Sequence, residues 1–110
     1  MTHEEAIALV ESFPGVESGL SLGSLAFKVK SKLLCRLGAR TGPDDLMLIG
    51  IGPDEAELLI ERDPAVFHTT PHFTDANCVL ARIGPAHEGL VRPLLERRWR
   101  EIAPKWLTRA

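Results

Sequence analysis

Residues 24–37, SLAFKVKSKLLCRL, contain two apolar runs on either side of a short polar break. Between positions 24 and 30 every second residue is large and apolar and the lysines fall between them, which is the period of a half-buried strand. Ser31 indicates a tight turn, and residues 33–37 are typical of the returning strand. This stretch therefore predicts a β-hairpin, and two strands joined by so short a turn must run antiparallel.

Further apolar runs extend the predicted sheet. Residues 46–51 follow a turn signal at Gly42-Pro43 and are too short for a free-standing helix, so they indicate a third strand. Residues 65–67 predict a short strand, and residues 78–83 predict a longer one. We expect these strands to lie beside the hairpin in one sheet.

Three helices are predicted around these strands. The first opens with Thr2 and Glu5, a capping box in which each side chain can bond the backbone N–H of the other residue, and it ends before Pro14. The second begins at Pro53, a residue that suits the first helical position, and continues to about Arg62. The third is C-terminal.

The C-terminal helix carries a single apolar stripe. Its members recur at spacings of four, four, three and four residues and are Val91, Leu95, Trp99, Ile102 and Trp106. We expect all of them to pack against the sheet. Pro93 in this segment predicts either a kink or a helix that begins near it.

The predicted fold is a two-layer α+β domain over residues 1–110, with an antiparallel sheet packed by helices in the order α-β-β-β-α-β-β-α. A chain of 110 residues with 45% hydrophobic and 25% charged residues fits one globular domain. It contains neither a long uncharged run nor a basic start followed by an apolar run, so we expect no membrane span and no secretory signal. We therefore expect a monomeric cytoplasmic protein with Cys35 and Cys78 as free thiols.

Several short strings occur in order along nearly the whole chain: Phe13-Pro14-Gly15-Val16-Glu17, Gly23 with Ala26-Phe27-Lys28-Val29 and Lys32, Thr69-Thr70-Pro71-His72, and Trp99 with Ala103-Pro104-Lys105. The chain resembles the MmcQ/YjbR family in these strings, in their order and spacing, and in its total length. The resemblance implies a two-layer fold with an antiparallel sheet, similar to the frataxin-like arrangement. It also implies DNA binding, which is the family's customary label.

Basic residues are concentrated in two segments, although the net charge is −2. Five of the thirteen lie in residues 28–40 and six lie from Arg92 onward. In the hairpin the basic residues at positions 28, 30, 32 and 36 share one parity, which predicts that they project from one face. The candidate phosphate contacts are Lys28, Lys30, Lys32, Arg36, Arg97 and Arg100.

Two interpretations of this charge pattern stay open. If the two segments adjoin in the fold, they form a positive face that binds nucleic acid with salt-sensitive affinity. Alternatively, the lysines are the solvated side of an amphipathic strand, and the arginines follow from the dipole of the last helix. No aromatic residue alternates with the hairpin lysines on their own face, so the sequence predicts no platform for base stacking there.

The alternative function is a small protein-interaction or ligand-binding module centred on the loop at residues 69–75, with His72 and Asp75 as contacts. His68 and His72 have the spacing of helical metal ligands, but Pro71 disfavours that helix, so we predict no metal. A thiol within an apolar strand should be inert. The sequence thus predicts a binding protein without a cofactor and without catalytic residues.

Overall fold

The structure is a computed structural model that describes residues 1–21, 23–38, 42–70 and 77–108. The helices and strands in chain order are α1 (His3–Glu11), β1 (Val16–Ser21), β2 (Ser24–Val29), β3 (Lys32–Leu37), β4 (Asp45–Ile49), α2 (Pro53–Arg62), β5 (Phe67–His68), β6 (Cys78–Arg82), α3 (Glu88–Ile102) and α4 (Lys105–Thr108). Every predicted helix and strand has a counterpart here. The chain adds β1 and the short α4, which the sequence did not predict.

The strands form one sheet in the order β1-β2-β3-β4-β6-β5, and each neighbouring pair is antiparallel. β2 and β3 are the predicted hairpin, with Lys30 and Ser31 at φ 50° and 70° in the turn. Positive φ at both central residues is the requirement of a type I′ turn, whose twist matches that of the flanking strands. The predicted α+β fold with an antiparallel sheet is confirmed.

The core lies between one face of the sheet and the helices. Alternate strand residues such as Phe27 and Val29 in β2, or Leu46 and Leu48 in β4, are buried in one apolar cluster. The helical members of that cluster are Ala6, Leu9 and Val10 of α1, Ala56 of α2, and Val91, Leu95, Trp99 and Ile102 of α3. These helices therefore cover the same side of the sheet, which gives two layers.

The helix starts follow the local signals in the sequence. At α1 the Thr2 hydroxyl accepts from the Glu5 N–H at 3.1 Å, and the Glu5 carboxylate accepts from the Thr2 N–H at 2.9 Å, so the predicted capping box is present. Pro53 is the first residue of α2, as predicted. The capping box of α1 bonds N–H groups that the helix itself leaves unbonded, and Pro53 at the start of α2 has no N–H that needs a partner.

The strand β1 is an edge strand with no periodic pattern in its sequence that predicts it. Its residues are exposed or half-buried along its whole length, and Leu20 is 84% exposed. A strand without a buried face has no alternating apolar pattern, and its glycine and serines have low β propensity. Its antiparallel pairing with β2 holds β1 in the sheet.

The C-terminal segment is two helices and not one. α3 ends at Ile102 because Ala103 precedes Pro104 and adopts an extended conformation, with φ −73° and ψ 141°. The expectation that Trp106 belongs to the buried stripe is therefore wrong: it lies in α4 and is 64% exposed. The other stripe residues are buried as predicted. α3 contains Pro93 in its interior and begins at Glu88, so it does not begin near the proline.

Candidate nucleic-acid interface

The hairpin presents its lysines on two different faces. β3 has one extra residue between the partners of Phe27 and Lys28, which shifts the register. Residues directly opposite one another project to the same face, and Lys32 lies opposite Val29, which is fully buried beneath the helices. Lys32 is therefore on the helix side and Lys28 on the far side. The prediction that the basic hairpin residues share one face fails because a one-residue shift reverses the parity.

The far face of the hairpin is not strongly positive. Lys28 lies opposite Glu17 of β1, so an acidic side chain accompanies it. Arg36, which also projects to this face, donates from Nη1 to the Ser21 carbonyl at 3.1 Å and to the Ser24 hydroxyl at 3.2 Å. The guanidinium of Arg36 thus ties β3 to the turn between β1 and β2.

The two predicted arginines of α3 are paired with carboxylates. Arg97 donates to both oxygens of Glu55 in α2, at 2.7 and 2.8 Å, and this bonding raises the pKa of Arg97. Arg100 donates to Glu96 at 3.2 Å and lies over the ring of Trp99. A phosphate would have to compete with these carboxylates for either guanidinium.

The tip of the hairpin adjoins α4. The Lys30 Nζ lies 5.6 Å from the centroid of the Trp106 ring, within the range of a cation–π contact. Lys105, the neighbour of Trp106 in α4, is exposed. We call the group formed by Lys30, Lys32, Lys105 and Trp106 the lysine-indole surface.

α4 is held against the hairpin by Leu107. A Cβ at Gly15 would lie 2.7 Å from Cδ1 of Leu107 and 3.6 Å from Cγ1 of Val29, so the Leu107 side chain lies close to both Gly15 and the hairpin. Gly15 also has φ +77°, a conformation that other residues adopt at a cost. Since Lys32 projects to the same side as Val29, this packing places Lys32 on the α4 side of the hairpin.

The lysines of this surface lack counter-charges. Within the ranges that the structure describes, Lys30, Lys32 and Lys105 form no ion pair, whereas Arg92, Arg97, Arg98 and Arg100 of α3 each pair with a glutamate. The positive charge of the C-terminal segment is therefore largely compensated along α3. It is uncompensated where the hairpin meets α4.

Sequence reasoning missed Trp106 and Lys105 as surface residues. The signal was present in Ala103-Pro104, because a residue before proline is disfavoured in helical conformation and usually ends the helix. The regular spacing of the apolar stripe outweighed that signal. Because α3 ends before this point, Trp106 does not lie on the buried face of α3, and its ring contacts Lys30 instead.

A second polar site lies at the other end of the sheet. His68 Nε2 is 2.8 Å from Oδ1 of Asp45, and both side chains are largely buried. Beside them is a cleft of about 450 Å³ lined by Gly42, Pro43, Asp44, Asp45, His68, Arg82, Gly84 and Pro85. Arg82 donates to the carbonyls of Pro64 and Ala65, which fixes one wall of the cleft.

The other predicted contacts and ligands are only partly covered by the structure. His72 and Asp75 lie outside the described residues, as does most of the loop at 69–75. Among the described residues, no group of three histidine, cysteine or acidic side chains could hold a metal ion. Cys35 and Cys78 are free and buried, and burial raises the pKa of both thiols, as expected of cysteines inside apolar strands.

The chain matches no protein-family model, no curated protein and no solved structure. The resemblance to the MmcQ/YjbR family accordingly stays a prediction. Across the described ranges, none of the helices has both the length and the hydropathy needed to cross a bilayer.

Proposed function

We propose that this chain is a nucleic-acid-binding protein of the MmcQ/YjbR type that contacts DNA through the lysine-indole surface and catalyses no reaction. The main support for the proposal is the contact of Lys30 with the exposed ring of Trp106. Lys32, two residues from Lys30 in the chain, and Lys105, which precedes Trp106, also form no ion pair in the described residues. Ammonium groups that are not engaged by carboxylates are free to replace the counterions of phosphates.

The charge distribution supports a local contact over an indiscriminate one. The whole chain has a net charge of −2, so its average field does not attract a polyanion. The arginines of α3 are paired with glutamates, and Lys28 faces Glu17. Of the residues predicted from sequence, the proposal keeps Lys30 and Lys32 as phosphate contacts and adds Lys105.

A salt series on labelled duplex DNA tests this function. With three phosphate contacts, the slope of log K against log salt should be about −2.7, and affinity should fall roughly 40-fold between about 50 and 200 mM salt. Fluorescence anisotropy measures both quantities. Undetectable binding at low salt, or an affinity that salt does not change, would remove the proposal.

The cleft beside Asp45 and His68 favours a second candidate, a small-ligand site next to the loop at residues 69–75. A buried carboxylate bonded to an imidazole fixes the ring in one orientation, and Arg82 lines the same cleft. In that case a His68→Ala variant should lose ligand binding and leave the DNA affinity unchanged.

The buried, unpaired thiols of Cys35 and Cys78 fit a reducing compartment, and we infer a cytoplasmic protein.

A further inference from the structure

We propose that the lysine-indole surface takes unpaired nucleic-acid strands in preference to duplex, with a base stacked on Trp106. This inference rests on the proposed function and names its substrate class. Bases in a duplex are stacked on one another and present only their edges, so an indole on a protein surface can reach a base face only in a single strand.

The ring of Trp106 is largely exposed and is available for stacking. It is 64% exposed, whereas Trp99, the other tryptophan, is 6% exposed and donates its indole N–H to the Pro14 carbonyl at 2.9 Å. α4 packs against the core through the neighbouring residue Leu107, whose side chain lies beside Gly15. α4 therefore packs against the core through Leu107, and the Trp106 indole stays outside the core.

The surroundings of Trp106 are complementary to a polyanion. Lys30 Nζ lies 5.6 Å from the ring centroid, Lys105 precedes Trp106 in the chain, and Lys32 projects to the same side of the hairpin. A single strand offers a base face to the indole and phosphates to the ammonium groups at the same time. The phosphates of a duplex can contact the lysines, but a duplex offers no base face to the indole.

The same charges argue against a second copy of this chain as the occupant. Two lysine-indole surfaces facing one another would bring six lysines together with no acidic partner within the surface. Like-charge contacts of this kind oppose association. An oligonucleotide removes the repulsion, because its phosphates neutralise the lysines.

The test compares a single-stranded oligothymidylate of about 12 nucleotides with a duplex of the same length, a size within the range of known single-strand sites. Anisotropy is measured for the wild type, Trp106→Ala, Trp106→Phe and Leu58→Ala. Leu58 is the matched control, because it is another exposed large apolar residue, 52% exposed, on α2.

We expect the wild type to bind the single strand at least about 5-fold more tightly than the duplex. Trp106→Ala should weaken single-strand binding by roughly 5- to 150-fold, the range measured for stacked bases, and weaken duplex binding by a clearly smaller factor. Trp106→Phe should keep most of the affinity, and Leu58→Ala should keep all of it.

Four outcomes would overturn the inference. Equal wild-type affinity for both forms, or an equal loss on both in Trp106→Ala, would show that the indole recognises no unpaired base, while leaving the proposed function standing. A wild-type dimer in sedimentation that Trp106→Ala converts to monomer would assign the surface to self-association. Binding to neither nucleic acid would remove the proposed function as well. The emission of Trp99 in Trp106→Phe confirms that this variant is folded.

Discussion

Replacing Trp99 with alanine is expected to lower the free energy of unfolding by about 3 to 5 kcal/mol. Trp99 is buried in α3, its ring lies 6.0 Å from that of Phe13, and its indole N–H is bonded to Pro14. The substitution removes the ring from the core and leaves the Pro14 carbonyl without its donor. Urea unfolding followed by far-UV circular dichroism measures the change.

Trp106→Ala is the matched control for Trp99→Ala. Since the Trp106 ring is mostly exposed, its removal should change the free energy of unfolding by less than about 1 kcal/mol. Domains of this size are stable by about 5 to 15 kcal/mol, so the Trp99 variant loses a large fraction of its stability and the Trp106 variant does not. Equal effects of the two substitutions would contradict the division of the C-terminal segment into α3 and α4.

Reversing the charge of the lysine-indole surface is expected to abolish DNA binding. The triple variant Lys30→Glu, Lys32→Glu, Lys105→Glu removes the proposed phosphate contacts and adds repulsion. Its affinity at about 50 mM salt should fall at least about 100-fold, and its salt dependence should flatten. Anisotropy against the same labelled duplex measures both changes.

The two faces of the hairpin supply a control for that variant. Lys28→Gln and Lys32→Gln remove the same charge from neighbouring strands, one on each side of the ribbon. Glutamine is preferred at position 28 because glutamate would face Glu17. Lys32→Gln should weaken binding and reduce the salt slope by about 1, and Lys28→Gln should leave both nearly unchanged. Equal losses would show that binding depends on net charge and not on this surface.

Local signals account for the elements that could be predicted. The hairpin follows from period-two alternation around a short polar turn, α1 from its capping box, and α2 from Pro53 at its first position. Each of these signals acts within a few residues of the chain. The buried part of the C-terminal stripe follows from helical periodicity in the same way.

The features that could not be predicted depend on partners distant in sequence. The extra residue in β3 becomes visible only when β3 is aligned against β2, and it decides which lysines share a face. Arg97 and Glu55 lie 42 residues apart, so nothing local shows that the arginine is already paired. β1 has no buried face and hence no periodic pattern.

Only one feature of the lysine-indole surface could be predicted from the sequence. Ala103-Pro104 indicates the helix break that exposes Trp106. The contact between Trp106 and Lys30 is a tertiary one between residues from opposite parts of the chain, and it depends on Leu107 packing above Gly15. The candidate site could therefore be found only from the folded structure.

Binding of nucleic acid where the hairpin meets α4 can be observed through the two indole N–H signals of a ¹⁵N-labelled sample. During titration with a single-stranded oligonucleotide, the Trp106 signal, assigned with Trp106→Phe, should shift or broaden, together with the backbone amides of Lys30 and Lys105. The Trp99 signal, hydrogen-bonded to Pro14 in the core, should stay in place. An unchanged Trp106 signal at saturation, or shifts centred on His68 and Arg82, would show that nucleic acid does not bind at the lysine-indole surface.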